Sequence, residues 1–304
     1  WRRALPDEWT PSQLEVHARC PYQLFAGMGL RLAEPELAEL DIDPRDEGSL
    51  AHAVLERFFR ERLVRAAFPL RDTAEEREEL SRVAEQLFAR FTSDGRTGDP
   101  ALWSGRRDAV RARLRRVLSA EAAAGGEAVP ALLEFRFGGD SGVPPLVLRG
   151  REGEVRLRGR LDRVDASVDR LVLIDYKNSA SPSWKKKLAP EALGETNFQL
   201  PAYLLAAARA LPGRSRLEAT YLLLRSAERL PSWITEPADP LLASGPRALD
   251  EESAAEGGAR SFADAAASAV ASIRRGELPV ASRDCKGCGF GAVCRAERLA
   301  EEPP

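Results

Sequence analysis

Arg170-Leu171-Val172-Leu173-Ile174-Asp175-Tyr176-Lys177 is the stretch on which the fold turns. Its apolar run Leu171–Ile174 is too short for a stable helix and rich in β-branched residues, which predicts a strand over 170–176 buried on both faces. Strand patterning recurs at Ala131–Phe137, Val155–Val164 and Leu217–Leu224, and Glu228–Thr235 is a candidate partner beside the last. Between these, Phe198–Leu211 reads as a helix with Pro201 tolerated in its first turn.

Upstream the pattern is helical. Thr10 caps a helix that begins at Pro11, and Pro21, directly after Cys20, interrupts or restarts it. A second helix runs over about Glu47–Ala67, with Leu50, Val54, Leu55, Phe58 and Leu63 at helical spacing. Two more follow at about Ala74–Phe91 and Leu102–Ala124, the last ended by Gly125-Gly126. Downstream, Glu236–Gly258 is rich in Pro, Gly and acid and reads as a loop or linker, and Phe262–Arg275 is a final helix. The expected fold class is α/β: a mixed central sheet flanked by helices, with a helical N-terminal lobe and a C-terminal cysteine segment. The expected division is one domain over 1–304: helical lobe 1–125, α/β core 126–235, linker 236–258, and helix with cysteine segment 259–304.

Bulk properties exclude little but point one way. The 304 residues, 44% of them hydrophobic, suffice for one large core or two modest ones. Charged residues break every apolar stretch well short of the roughly 20 residues of a membrane span, and no signal-peptide pattern follows Trp1. A cytoplasmic protein without membrane contact is the expectation. The start at Trp1 and the single Met28 point to a fragment of a longer protein. The net charge of −2 does not advertise a nucleic-acid binder, but charge is clustered. Arg106, Arg107, Arg111, Arg113, Arg115 and Arg116 share one expected helix, and Lys185–Lys187 form a second group. Each is a candidate element of a strand channel contacting phosphates. No glycine-rich dinucleotide or P-loop signature is present, so no nucleotide cofactor is expected on this chain.

The chemistry gathers where two adjacent strands each end in an acid. Asp162 lies in Gly159-Arg160-Leu161-Asp162-Arg163-Val164-Asp165, and Asp175 is followed two residues later by Lys177. Phosphodiester hydrolysis needs oxygen ligands for a divalent ion that polarises the phosphate and acidifies a water. Strand alternation puts Asp175 and Lys177 on one face, roughly 6.6 Å apart. His52 sits in a helix among apolar neighbours, and Gln199 and Tyr203 lie one helical turn apart. In isolation each of these reads as core, helix surface or a surface ion pair.

Together, G-x-x-x-H-x-x-L-E (Gly48–Glu56), G-x-x-D-R-x-D (Gly159–Asp165), D-Y-K (Asp175–Lys177) and Q-x-x-x-Y (Gln199–Tyr203) resemble, in order, the RecB-like branch of the PD-(D/E)XK nuclease superfamily. The resemblance implies a restriction-endonuclease-like core. It implies His52, Asp162, Asp175 and the backbone carbonyl of Tyr176 as metal ligands. Lys177 would orient or activate the water, and Gln199 and Tyr203 would contact the DNA backbone or support the site. Glu134 stands where relatives often carry an acid. A histidine ligand makes Mn²⁺ at least as natural as Mg²⁺.

Four cysteines complete the pattern: Cys20, then Cys285, Cys288 and Cys294 as C-x2-C-x5-C. In a cytosolic chain this spacing points to metal or cluster ligation rather than disulfides. By count, four thiolates suit Zn²⁺ or a [4Fe–4S] cluster equally. The one-plus-three division, and the resemblance to the iron–sulfur version of this branch in AddB-type proteins, favour the cluster in a structural role. The resemblance further implies cleavage of DNA, chiefly single-stranded ends, as an exonuclease beside a helicase domain or helicase–nuclease subunit in double-strand-break repair. The competing expectation is a catalytically inactive DNA-binding or scaffolding domain. Decay of that kind usually erases the acids or the lysine, and all are present here.

Overall fold

The computed structural model describes residues 5–33, 40–189, 192–237, 239, 242, 261–283, 285, 288–291 and 293–294. In chain order the strands are β1 (Glu8–Trp9), β2 (Val129–Phe137), β3 (Leu146–Gly150), β4 (Gly153–Leu157), β5 (Gly159–Ala166), β6 (Arg170–Lys177), β7 (Arg216–Leu223), β8 (Glu228–Arg229) and β9 (Trp233–Thr235). The α-helices are α1 (Pro11–Arg19), α2 (Pro21–Leu24), α3 (Pro44–Val64), α4 (Ala74–Ser93), α5 (Pro100–Ala124), α6 (Gln199–Ala210) and α7 (Phe262–Arg275).

Local chemistry sets the helix ends. Thr10 and Gln13 form a reciprocal capping box at α1, and Thr73 and Glu76 do the same at α4. Asp43 and Asp99 cap α3 and α5, each with Pro at the first helical position. Pro21 restarts the chain as α2, which widens into a π-helical turn over Phe25–Gly29.

The large sheet runs β2-β5-β6-β7-β8, with β9 also on β7. Within it only β6 and β7 pair in parallel, with α6 in the crossover between them. The fold is therefore a mixed sheet flanked by helices, as expected. The expected strand Val155–Val164 is two strands in different sheets. At Arg158, whose backbone N–H donates to the Trp9 carbonyl at 2.9 Å, the chain leaves a small sheet (β1-β4-β3) and enters the large one as β5. Strands β1 and β3 complete the small sheet and carry no alternation strong enough to announce them.

β6 is buried along its central six residues because the sheet is covered on both sides. Val172, Ile174 and Tyr176 join the core of α3, α4 and α5, whereas Leu171 and Leu173 join that of α1, α6, α7 and the small sheet. The N-terminal helices α3–α5 thus share a core with the sheet. The chain after α7 returns to α1 and α2: Tyr22 N–H donates to the Pro279 carbonyl at 3.2 Å, and Arg283 N–H to the Arg19 carbonyl at 2.9 Å. Of the expected linker, all of 243–258 lies outside the described residues. Among the described residues no helix is long and apolar enough to cross a membrane.

Candidate active site

The site is built on a fault shared by two strands. Leu161 and Val164, three residues apart on β5, enter the same core, while Arg163 between them lies on the opposite side over the Phe59 ring. On β2, Leu132 and Phe135 face that same core, while Leu133 faces the other. Strict alternation cannot do this. Each strand has one residue out of phase here, Asp162 on β5 and Glu134 on β2, and the pairing of Leu133 with Arg163 and of Phe135 with Leu161 sets the two opposite each other. Glu134 takes the fault in its backbone, at φ +48, a strained value for a side-chain-bearing residue in a strand.

The fault turns both acids toward α3. His52 Nδ1 lies 3.3 Å from Asp162 Oδ1 and 3.8 Å from Glu134 Oε1. One donor atom from each of the three residues fits within a 4.8 Å set, a spacing able to hold one metal ion. The donors, one imidazole and two carboxylates, suit Mn²⁺ or Mg²⁺ better than a thiolate-seeking metal. The β5–β6 ladder ends at Arg163 and Ile174, and beyond it the Asp162 carboxylate accepts the Tyr176 N–H at 2.7 Å. The strands therefore fork at the site.

Asp175 and Lys177 stand on the β6 arm of the fork. Lys177 Nζ is 2.5 Å from Asp175 Oδ2 and donates to Gln199 Oε1 at 3.1 Å. Its ammonium lies over the Trp184 ring at 5.0 Å and the Tyr221 ring at 5.3 Å. Gln199 is fixed in turn by donating to Ser12 Oγ at 2.9 Å. The α6 N-terminus is held by Glu15, which accepts the Phe198 and Gln199 N–H groups at 2.9 and 3.0 Å. Tyr203 is buried, edge-on to Phe137, and packs against Gly159, where any Cβ would fall 2.8 Å from its ring. Tyr203 therefore lies inside the α6 core, against β5.

Electrostatics follow from the low exposure of these groups. Burial raises the Asp175 carboxyl, and the nearby Asp162 charge adds to this; Lys177 opposes both, leaving it at about 6. Burial works to raise Asp162, but the His52 imidazolium and the Tyr176 N–H hold it below the usual carboxylate range. Burial works to lower His52, and hydrogen bonds and charge from Asp162 and Glu134 override it, lifting the imidazole to about 10. Lys177 stays cationic because Asp175 outweighs its burial.

The structure therefore gathers His52 and Asp162 with Glu134, places Asp175 beside them in an ion pair with Lys177, and ties Lys177 to Gln199. Tyr176 contributes its N–H to Asp162 and its ring edge to His52, at 5.3 Å between centroids. Glu134 is the acid that sequence reasoning weighted least. Its signal is a break in phase across β2, visible only once the two cores are known. The Asp165 of G-x-x-D-R-x-D is structural: Arg163 clamps it at 2.5 Å and also pairs with Glu121, which Arg229 meets at 3.3 Å.

The arginine helix is partly paired: acids of neighbouring elements meet some of its arginines, while Arg107, Arg115 and Arg116 are exposed. Arg106 pairs with Asp41, Arg111 with Glu85 and Arg113 with the buried Glu47, while Arg115 donates to Ser81 Oγ. Arg106, Arg111 and Arg113 therefore neutralise acids of neighbouring elements. In the lysine cluster, Lys185 meets Glu228 at 3.2 Å and Lys187 meets Glu15 at 3.5 Å.

No disulfide joins the four cysteines among the described residues; Cys20 is buried and Cys285 exposed. The backbone bonds from 279 and 283 to 22 and 19 set their segments side by side. Their sulfurs do not form a metal-sized group of three or more among the described residues.

A family model for the PD-(D/E)XK nuclease superfamily matches residues 8–295. An ATP-dependent helicase/deoxyribonuclease subunit from Acetivibrio thermocellus is 29% identical over 180 residues, which is 55% of this chain and 15% of that protein. The proteins of the same name from Geobacillus kaustophilus and Bacillus subtilis are 34% and 32% identical over 180 and 182 residues, or 56% and 55% of this chain. The chain spans about 15% of the length of the curated relatives it matches. A solved structure described as "Crystal structure of SSO0001" aligns over 81% of this chain and 85% of its own at 16% identity, with a TM-score of 0.28.

Proposed function

The chain belongs to the PD-(D/E)XK nuclease superfamily, and on that premise we propose that it is a divalent-metal-dependent deoxyribonuclease. The observation that carries the proposal is the convergence of His52, Glu134 and Asp162 at a strand fork, with the Asp175–Lys177 pair on its other arm. In this reading His52, Asp162, Asp175 and the Tyr176 carbonyl hold Mg²⁺ or Mn²⁺, with Glu134 as a further ligand. A bound ion would supply Lewis acidity toward the phosphate and a more acidic water. Lys177 keeps a fixed positive charge beside Asp175, where charge develops on the phosphate during attack. Gln199 aims the ammonium, and Glu15 and Ser12 hold the start of α6 in place.

The names of the relatives support a place in a helicase–nuclease, and in this reading that complex processes broken DNA ends in repair and recombination. There this chain would act as a cytoplasmic exonuclease domain on single strands delivered by a helicase partner. The chain is read as a single domain over 1–304, closed by Cys20, Cys285, Cys288 and Cys294 on a structural [4Fe–4S] cluster, with Zn²⁺ as the other occupant of four thiolates. The adjacency of the two cysteine segments supports that closure.

The test is cleavage of end-labelled single-stranded DNA with Mg²⁺ or Mn²⁺. Asp162→Ala and Lys177→Ala should each lower the rate by at least about 100-fold, the usual scale for a positioned acid or base group, while DNA binding persists. Binding without any wild-type cleavage would favour the inactive scaffolding domain instead.

A further inference from the structure

Beyond the strand fault, β2 and β5 carry a second opposed pair. Arg136 and Arg160 are direct cross-strand partners. Phe135 and Phe137 on β2, and Leu161 on β5, face the α6 core, so Arg136 and Arg160 share the opposite face with Glu134 and Asp162. The two arginines therefore stand one pleat, about 6.8 Å along the strands, from the metal triad. Both are exposed.

Like charges set directly across a sheet repel, and such a pair is unfavourable unless an anion joins it. Arg160 is partly compensated: its Nε lies 3.0 Å from Glu134 Oε2, which leaves the outer edge of the guanidinium facing solvent at 52% side-chain exposure. Arg136 has no ion pair among the described residues. The arrangement joins one fork, anchored on a metal-site carboxylate, to a second, unpaired fork beside it. Planar guanidinium forks match the oxygens of a phosphodiester.

We propose that Arg136 and Arg160 form a clamp for a backbone phosphate of single-stranded DNA, next along the strand to the phosphate at the metal triad. The proposal rests on the nuclease reading above and adds the path by which the strand leaves the site. Arg160 has a second task, holding Glu134 in place before and after DNA binds. Arg136 touches no metal-site residue, so the two can be told apart.

The experiment measures binding of a short fluorescein-labelled single strand of mixed sequence by anisotropy, in Ca²⁺ across a range of salt. It compares the wild-type chain with Arg136→Ala, Arg160→Ala and, as a control, Arg90→Ala on α4. Each clamp variant should weaken binding alike for all sequences and flatten the slope of log affinity against log salt by about 0.7. Arg90→Ala should change neither. Mn²⁺ affinity, read by electron paramagnetic resonance without DNA, should be unchanged in Arg136→Ala. Clamp variants that retain the wild-type slope, in a chain that still binds and cleaves DNA, overturn the clamp and leave the nuclease reading intact. A wild-type chain that binds no DNA overturns both.

Discussion

Glu134 on β2 and Asp162 on β5 face each other at the one point where both strands lose their alternation, and each sets a carboxylate oxygen near the same nitrogen of His52. Neither strand could present its acid this way alone. A regular β5 would send Leu161 and Val164 to opposite faces, and the sheet would lose one of them from the α6 core. The paired fault keeps both apolar residues buried and spares one residue on each strand for chemistry.

That geometry has a measurable cost at Glu134, whose φ of +48 suits glycine. Glu134→Ala and Glu134→Gly both remove the carboxylate and differ mainly in backbone strain. The glycine variant should be the more stable in urea by about 1 kcal/mol. Both should bind Mn²⁺ at least about 10-fold more weakly than wild type. Equal stability of the two variants would show that the backbone there is unstrained.

Metal binding should also displace a proton. With its pKa at about 10, His52 is charged in metal-free protein at pH 8, and a ligand imidazole must be neutral. Titration with Mn²⁺ in buffers of different ionisation enthalpy should therefore report release of about one proton per ion at pH 8, absent in His52→Ala. The same shift governs stability without metal. His52 titrates higher folded than unfolded, so its contribution is complete below about 6.5 and is lost as pH rises through about 10. The urea midpoints of wild type and His52→Ala, measured in EDTA, should converge over that window.

The buried cluster below the site is a matter of stability. Arg163→Met would leave Glu121 and Asp165 facing each other, with Arg229 the remaining cation paired to them among the described residues. It should cost about 3–5 kcal/mol in urea unfolding, the range for breaking a buried ion pair from one side. A small loss would mean that water reaches the two acids.

Much of this was legible in the residues. The apolar run of β6 declared a strand covered on both faces, and the order of His52, Asp162, Asp175, Lys177 and Gln199 pointed to one site. Capping chemistry fixed the start of α1 because Thr10 acts within one turn. What stayed hidden depends on contacts distant in sequence. Glu134 looks like an ordinary outward residue until β2 and β5 are paired. Arg106, Arg111 and Arg113 of α5 look like free positive charge until Asp41, Glu85 and Glu47 are brought against them. The small sheet escaped notice because β1 has two residues and β4 runs almost directly into β5.

The proposed cysteine closure is tested separately from the catalytic site by its metal content. Protein purified without oxygen should be brown and carry about four irons per chain with matching sulfide. Cys288→Ala should lose both, and with them thermal stability, before it loses cleavage at low temperature. Colourless wild-type protein with one zinc would assign the thiolates to that metal.

The catalytic reading stands on a divalent ion held by His52, Asp162, Asp175 and the Tyr176 carbonyl, with Glu134 as a further ligand. Anomalous diffraction from crystals soaked in Mn²⁺ locates that ion without reference to activity. A peak within bonding distance of the His52, Asp162 and Asp175 side chains, lost in Asp162→Ala, is the expected result. A peak elsewhere, or none at saturating Mn²⁺, would contradict it.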